Sequence, residues 1–257
     1  MLSPVPTCPV CLGSRPSRFT EANGFDLFSC GECATLFVYP LPGSAETRAL
    51  YADTANGATT GYFAKPDKKM RRARRRVRAL RRVAPEAGRL LDIGCSGGFI
   101  VEAAREAGLA ATGVDLEPPA IGYARRHFPA NEFFCGTVEE FAATAPGRFD
   151  IVYSSEVIEH VPNVRSFCRT IAGLLHPGGI LYITTPDLTH WNQPSDVRRR
   201  SGFGPPGHCI YFTPRSLIRL LDGFGFELVR RRLAFKPGIK LICRKRGDDP
   251  QGLRGDR

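Results

Sequence analysis

From residue 88 onward, short apolar runs alternate with stretches whose apolar residues recur every three or four positions. The runs at 90–93, 111–114, 132–134, 149–153 and 179–184 predict buried strands. The stretches at 99–107, 119–128, 138–142 and 164–175 predict helices between them. Strands joined by helices imply parallel pairing, with helices covering both faces of the sheet. After a long connection at 187–212, a helix is expected at 214–221. Two further strands at 226–235 and 239–243 should then meet in a hairpin at Lys236-Pro237-Gly238. Upstream, Met70, Ala73, Val77 and Leu80 are spaced three, four and three apart, which predicts a helix over 67–83 with one narrow apolar stripe. The expected fold class is α/β, a doubly wound sheet of seven mostly parallel strands.

The first forty residues follow another pattern. Two pairs, Cys8-Pro9-Val10-Cys11 and Cys30-Gly31-Glu32-Cys33, flank two short runs, 18–20 and 25–28, that can form a hairpin. Each C-x2-C places two thiolates on one tight turn, and two such turns supply the four-sulfur tetrahedron that zinc prefers. Cys8, Cys11, Cys30 and Cys33 are therefore the expected metal ligands, with zinc the favoured occupant over rubredoxin-type iron. Four protein ligands leave no open position, so the metal's role should be structural. The module is too small for a core of its own. The expected organisation is a zinc ribbon at 1–40, a Gly-, Ala-, Thr- and Pro-rich linker at 41–64, the main domain at 65–243 and a disordered tail at 244–257.

Composition adjusts this picture in two places. Nine cysteines in 257 residues without a secretion signal point to reduced thiols and a cytoplasmic protein. Cys95, Cys135, Cys168, Cys209 and Cys243 stand singly in apolar surroundings and read as core residues. The formal charge of +11 is concentrated in residues 65–82, where eleven Lys/Arg accompany one Asp, leaving the rest of the chain nearly neutral. Basicity thus belongs to one helix. It is a solvated face, or else it attracts an anionic metabolite or anionic lipid.

The run Leu90-Leu91-Asp92-Ile93-Gly94-Cys95-Ser96-Gly97-Gly98-Phe99 is a strand, a glycine-rich turn and a helix start, where small residues let backbone N–H groups approach a ligand. About 20 residues on, the second strand ends at Asp115, a carboxylate placed to accept ribose hydroxyls. A pyrophosphate binder would carry G-x-G-x-x-G at this turn. Here Asp92 precedes the glycines, which suits a cation-bearing ligand better.

These residues resemble the class I S-adenosylmethionine-dependent methyltransferases, whose first motif reads approximately D-x-G-C-G-x-G, with Ser96 standing for the central glycine. The resemblance extends through Val114-Asp115-Leu116-Glu117, Gly136-Thr137-Val138-Glu139, the segment from Phe149 to Val161 and His176-Pro177-Gly178-Gly179. Its E-V-x-E-H-V stretch is similar to the branch containing ubiquinone-type O-methyltransferases. The resemblance implies a Rossmann-like fold and S-adenosylmethionine as cofactor. It assigns cofactor contacts to Asp92, Gly94, Cys95, Ser96, Gly98, Asp115, Leu116, Thr137, Val138 and Ser155.

Glu156, Glu159 and His160 follow the fourth strand, at the sheet edge where ligands bind. His160 leads as the group that orients or deprotonates an acceptor, followed by His208 in Gly207-His208-Cys209-Ile210-Tyr211-Phe212, with Glu156 as a third candidate. The expected partner is a small-molecule acceptor methylated on oxygen or carbon. A nucleic-acid methyltransferase and a non-catalytic scaffold are the alternatives, and a nicotinamide oxidoreductase is a remote fourth. Few aromatics interleave the arginines, which argues against nucleic acid, and no stable membrane association is expected. The acceptor's identity and the oligomeric state are not legible.

Overall fold

The structure, a computed structural model, describes residues 6–43, 46, 65–232 and 235–247. Three short strands open the chain: β1 (Pro16–Ala22), β2 (Phe25–Cys30) and β3 (Leu36–Tyr39). Asn23 and Gly24 between β1 and β2 both take left-handed φ, 54° and 80°, as a two-residue hairpin turn requires. The linker expected at 41–64 lies almost wholly outside the described residues.

The main sheet follows the alternation read from the sequence. Helix α1 (Pro66–Arg81) precedes β4 (Arg89–Ile93), α2 (Phe99–Glu106), β5 (Ala110–Asp115), α3 (Pro118–His127) and β6 (Glu132–Cys135). Then come α4 (Val138–Ala143), β7 (Phe149–Ser155), a single 3-10 turn at Ile158–His160, α5 (Val164–Leu174) and β8 (Leu175–Thr185). The chain finishes with β9 (Ile210–Tyr211), α6 (Pro214–Asp222), β10 (Phe226–Arg231) and β11 (Ile239–Lys245). The seven-stranded sheet has the order β10-β11-β8-β7-β4-β5-β6, and only β11 runs antiparallel to its neighbours.

Successive side chains point to opposite faces of a strand, and the two hydrophobic cores divide accordingly. Leu90, Ile151, Tyr153, Ile180 and Tyr182 pack under α1 and α2 with Ala73, Val77 and Leu80. Leu91, Val152, Leu181 and Ile183 pack on the other side with Phe167, Ile171 and Leu217 of α5 and α6. The strand order reverses between β4 and β7, and a crevice opens there beyond the carboxyl ends of the strands.

Four boundaries differ from expectation. β8 starts at Leu175 rather than 179, because Leu175 pairs with Phe149 before a register shift carries Ile180 opposite Ile151. The strand expected at 226–235 stops at Arg231. β11 runs to Lys245, where Arg244 and Lys245 pair with Glu227 and Phe226, so the tail cannot begin at 244; residues 248–257 lie outside the described residues. Finally, the 187–212 connection contains β9, which pairs with β3 to make a second sheet of order β1-β2-β3-β9. The N-terminal module thus obtains the core it could not build alone. Leu27 and Phe37 are fully buried in the same cluster as Ile210 and Phe212.

Candidate active site and metal centre

At the crevice, a cavity of about 1200 Å³ runs between the glycine turn after β4, the end of β5, the start of α4, the end of β7 and the flank of α1. The turn needs left-handed backbone at Gly94, Ser96 and Gly98, with φ of 73°, 47° and 76°. Gly94 and Cys95 donate their N–H groups to Val114 O at 2.8 and 3.1 Å, tying the turn to β5. A Cβ on Gly98 would lie 2.7 Å from Phe133 Cζ, so the turn has no room for larger residues there. Ser96 holds its left-handed angle despite bearing a side chain. Cys95 lines the cavity, but its buried sulfur packs against Gly113, leaving mainly its backbone for a ligand.

Three acids line the cavity near the turn. Asp92 is completely buried, and burial together with the nearby Asp115 holds its carboxyl well above the usual range. Asp115 accepts from Ser96 N at 2.7 Å on Oδ2 and from Glu117 N at 2.9 Å on Oδ1. Each oxygen keeps a further lone pair, but this carboxylate first braces the turn. Half-buried Glu117, two residues on, also lines the cavity, and burial raises its pKa. Leu116, Thr137 and Val138 complete this wall. The Thr137 hydroxyl is committed to a capping box, accepting from Glu140 N at 3.0 Å while Glu140 Oε2 accepts from Thr137 N at 2.8 Å.

Cations line the cavity too. Lys69, Arg72 and Arg76 of α1 line the cavity, and the pKa of Lys240 on β11 is depressed by burial and then by these two arginines. Lys69, half-exposed near Arg72, is lowered to about 8 by desolvation and like charge. Arg76 donates to the hydroxyl of Tyr153, whose ring stacks on Tyr182 with centroids 5.0 Å apart. The sequence showed this helix to be basic but not which face meets the crevice; the positions beside buried Ala73 and Val77 held that signal. Other arginines of the helix turn away, as Arg74 does to pair with Glu106 at 2.7 Å.

Past β7 the candidate catalytic residues come together. Ser155 Oγ lies 2.8 Å from Thr184 Oγ1, and Thr184 Oγ1 donates to Glu156 Oε1 at 2.7 Å. Glu156 takes a left-handed φ of 60°, a rare angle that aims its side chain at the crevice. Glu159 is fully buried, accepts from Thr185 Oγ1 at 2.9 Å on Oε2 and is pushed up to about 8 by burial and Glu156. His160 donates from Nδ1 to Gly207 O at 2.7 Å, and His208 from Nδ1 to Gly202 O at 2.6 Å. The two rings meet edge to face with centroids 4.4 Å apart. Burial lowers both imidazoles, His160 to about 4 with His208 contributing, so both are neutral at physiological pH. His160 faces the cavity, whereas Glu159 and His208 stand behind it.

In the N-terminal module, Cys8 and Cys33 sulfurs are 3.7 Å apart and those of Cys11 and Cys30 3.5 Å apart, and all four lie within 4.8 Å of one another. Thiolates around zinc at about 2.3 Å stand roughly 3.8 Å apart, far longer than a disulfide bond. Each C-x2-C closes the same way. Leu12 N donates to Cys8 O and Ala34 N to Cys30 O, with left-handed Leu12 and Ala34. The donor set and spacing fit a four-thiolate zinc site.

A doubly wound sheet with a small-residue turn after its first parallel strand, an acid after the next and a cavity at the switch point defines a nucleotide-type cofactor fold of the methyltransferase class. The family model described as a methyltransferase domain matches residues 65–231, and the chain belongs to that family. A ubiquinone biosynthesis O-methyltransferase of Xanthomonas campestris pv. campestris (strain B100) is 39% identical over 112 residues, 42% of this chain and 47% of the relative. One from Aeromonas salmonicida (strain A449) is 39% identical over 152 residues, covering 55% and 63%. The chain spans about half the length of the curated relatives it matches. Among solved structures, the fold is shared with 1,6-didemethyltoxoflavin-N1-methyltransferase of Burkholderia thailandensis, bound to 1,6-didemethyltoxoflavin and S-adenosylhomocysteine. The TM-score is 0.59 at 21% identity, covering 90% of this chain and 99% of that one. It is also shared with an S-adenosylmethionine-dependent methyltransferase of Mesorhizobium loti, with a TM-score of 0.54 at 21% identity, covering 65% and 96%.

Proposed function

We propose that this chain transfers a methyl group from S-adenosylmethionine to an oxygen or carbon of a small anionic metabolite. One observation carries the reading: a single cavity is lined by acids and the glycine turn and also by the basic side chains of α1. When bound, the cofactor supplies an electrophilic methyl on a positively charged sulfur. Asp92, Gly94, Cys95, Ser96, Gly98, Asp115, Leu116, Thr137, Val138 and Ser155 would hold it, joined by Glu117.

Lys69, Arg72 and Arg76 crowd positive charge into a cavity meant for a cationic ligand, an unfavourable arrangement unless anions sit between them. The cofactor's own carboxylate can satisfy one of these cations, and the acceptor is the candidate for the others. Glu156 and His160 meet the acceptor in the same cavity, with His208 packed behind His160. The neutral imidazoles and the carboxylate can orient a hydroxyl or take its proton, while the enclosed walls fix its line of approach.

Zinc in the Cys8/Cys11/Cys30/Cys33 site is structural in this reading, and the ribbon at 1–40 serves the main domain at 65–243 through the β3–β9 pair. No helix among the described residues is long and apolar enough to cross a membrane. Nine free cysteines favour the reducing cytoplasm. Titration calorimetry with S-adenosylmethionine and S-adenosylhomocysteine tests the cofactor half, with micromolar affinity expected. No heat with either ligand would defeat the proposal. The acceptor half predicts that sulfate, as a bare anion, competes at the basic wall with an affinity that falls as ionic strength rises.

A further inference from the structure

Paired residues on neighbouring strands lie side by side on one face of a sheet, so the floor beneath α1 is set by the register of β7, β8 and β11. Ser155 pairs with Thr184, Thr184 pairs with Lys240, and Arg232 N donates to Lys240 O at 2.9 Å. Ser155, Thr184, Lys240 and Arg232 therefore form one polar row from β7 across β8 and β11 to the residue after β10. The row next to it is Tyr153, Tyr182 and Ile242, which packs on Ala73 and Val77 and so places both rows on the face that α1 covers.

Two arginines of α1 stand over this floor. Arg76 donates to the Tyr153 hydroxyl, which holds its guanidinium above the tyrosine pair with Cζ 5.8 Å from the Tyr153 ring centroid. Arg72, one turn earlier, lines the cavity with it. Electrostatics tie both to the polar row: the pKa of Lys240 is lowered by burial first and then by Arg76, Arg72 and Arg232, with Glu156 acting the other way. Four cations thus face one carboxylate, an arrangement that repels itself until anions enter. A carboxylate ligand would offset one of these charges. A phosphate ester carries about −1.5 to −2 near neutral pH and offers three oxygens to the guanidinium forks.

The geometry points to a phosphate-binding subsite formed by Arg72, Arg76, Lys240 and Arg232, and so to an organic phosphate as the methyl acceptor. Neighbouring strands lie about 4.8 Å apart, so Lys240, two strands from Ser155, sets the phosphate roughly 10 Å from the end of β7. Ser155 and Glu156 line the cavity, whereas Arg72 and Arg232 are exposed, so the phosphate stands at the mouth and the atom to be methylated enters first. A phosphorylated sugar or a nucleotide has the length for this. The inference rests on the methyl-transfer reading for what the inner end of the acceptor does, though not for the binding of phosphate itself. It gives Lys240 and Arg232, which lie outside every cofactor motif, the task of selecting the acceptor.

The test is titration calorimetry on the full chain at low ionic strength, with phenyl phosphate and benzoate as a dianion and a monoanion on the same ring. Phenyl phosphate should bind at least tenfold tighter. Lys240→Met and Arg232→Met should each weaken it about fivefold to tenfold and leave S-adenosylhomocysteine binding where it is, which also shows that the variants are folded. Arg78→Met removes the same charge from the part of α1 where Arg78 Nε donates to Arg74 O, and should change nothing. Equal affinity for the two probes, or an equal loss in Arg78→Met, would overturn the inference, because the overall charge of the chain would then hold the anion. Uridine monophosphate and a hexose phosphate, titrated next, distinguish the carriers. The one that binds tighter than phenyl phosphate gives the acceptor's class, and a failure of both defeats the organic phosphate. Product binding without a preference for phosphate sinks this subsite alone, whereas that preference without product binding sinks the methyl-transfer reading alone.

Discussion

Phe37→Ala tests how far the cysteine ribbon reaches into the candidate active site. Phe37 is fully buried, sits opposite Phe28 on β2 and Ile210 on β9, and belongs to the core shared by both sheets. Truncating a buried phenylalanine to alanine costs about 3–5 kcal/mol, as lost transfer free energy plus the cavity left behind. That loss should fall first on the contact between ribbon and β9. There Val38 N donates to Cys209 O and Cys209 N to Glu159 O, both at 2.9 Å, so the segment bearing His208 is pinned between ribbon and 3-10 turn. If even 3 kcal/mol is drawn from local opening, amide exchange across residues 208–212 should accelerate roughly 100-fold. Exchange at Leu91 and Ile93, deep in the main sheet, should change much less. Hydrogen-exchange mass spectrometry reads both segments at once, and chelation of the ribbon metal should produce the same local pattern. Unchanged protection at 208–212 alongside a lowered melting temperature would refute the argument, because it would mean that the loop holds β9 without the ribbon.

Gly98→Ala combines a left-handed angle with a Cβ 2.7 Å from Phe133, and should cost about 2–4 kcal/mol of stability; denaturant unfolding measures it, and a neutral result would show that the turn can shift. Asp115→Asn keeps the shape but gives up charge and one acceptor where Ser96 N and Glu117 N both need one. S-adenosylhomocysteine affinity should fall at least tenfold by calorimetry, and an unaltered affinity would remove Asp115 as the brace of the turn. Lys69, depressed to about 8, is charged below that pH and loses its charge above it. Sulfate affinity should therefore weaken between pH 7 and 9 in the wild type and stay nearly flat over that range in Lys69→Met, as followed by competition binding.

What the sequence made legible depended on whether the physical cause was local. The alternation of apolar runs along β4 to β8 follows from burial on both sheet faces, and each run sits within a few residues of its expected place. The cysteine pairs were equally plain, because each turn is closed by its own neighbours. β9 was not legible: Ile210 and Tyr211 are two residues whose strand character comes from β3, far away in the chain. The same holds for Glu159, whose buried carboxyl is held by Thr185 at the end of β8, a partner its motif does not announce. Asp115 shows a third case, correctly placed at the end of its strand, yet engaged with backbone in a way no pattern of side chains announces.

The pairing of β3 with β9 also sets an order of events during synthesis. Leu36 and Tyr211 are joined across about 175 residues of chain. At ribosomal speeds of about 5–20 residues per second, the ribbon leaves the ribosome roughly 10–35 s before its partner strand is made. Over that interval the cysteines can take up metal while the β3 edge of the nascent ribbon stays unpaired, exposed to any chaperone or strand that reaches it first.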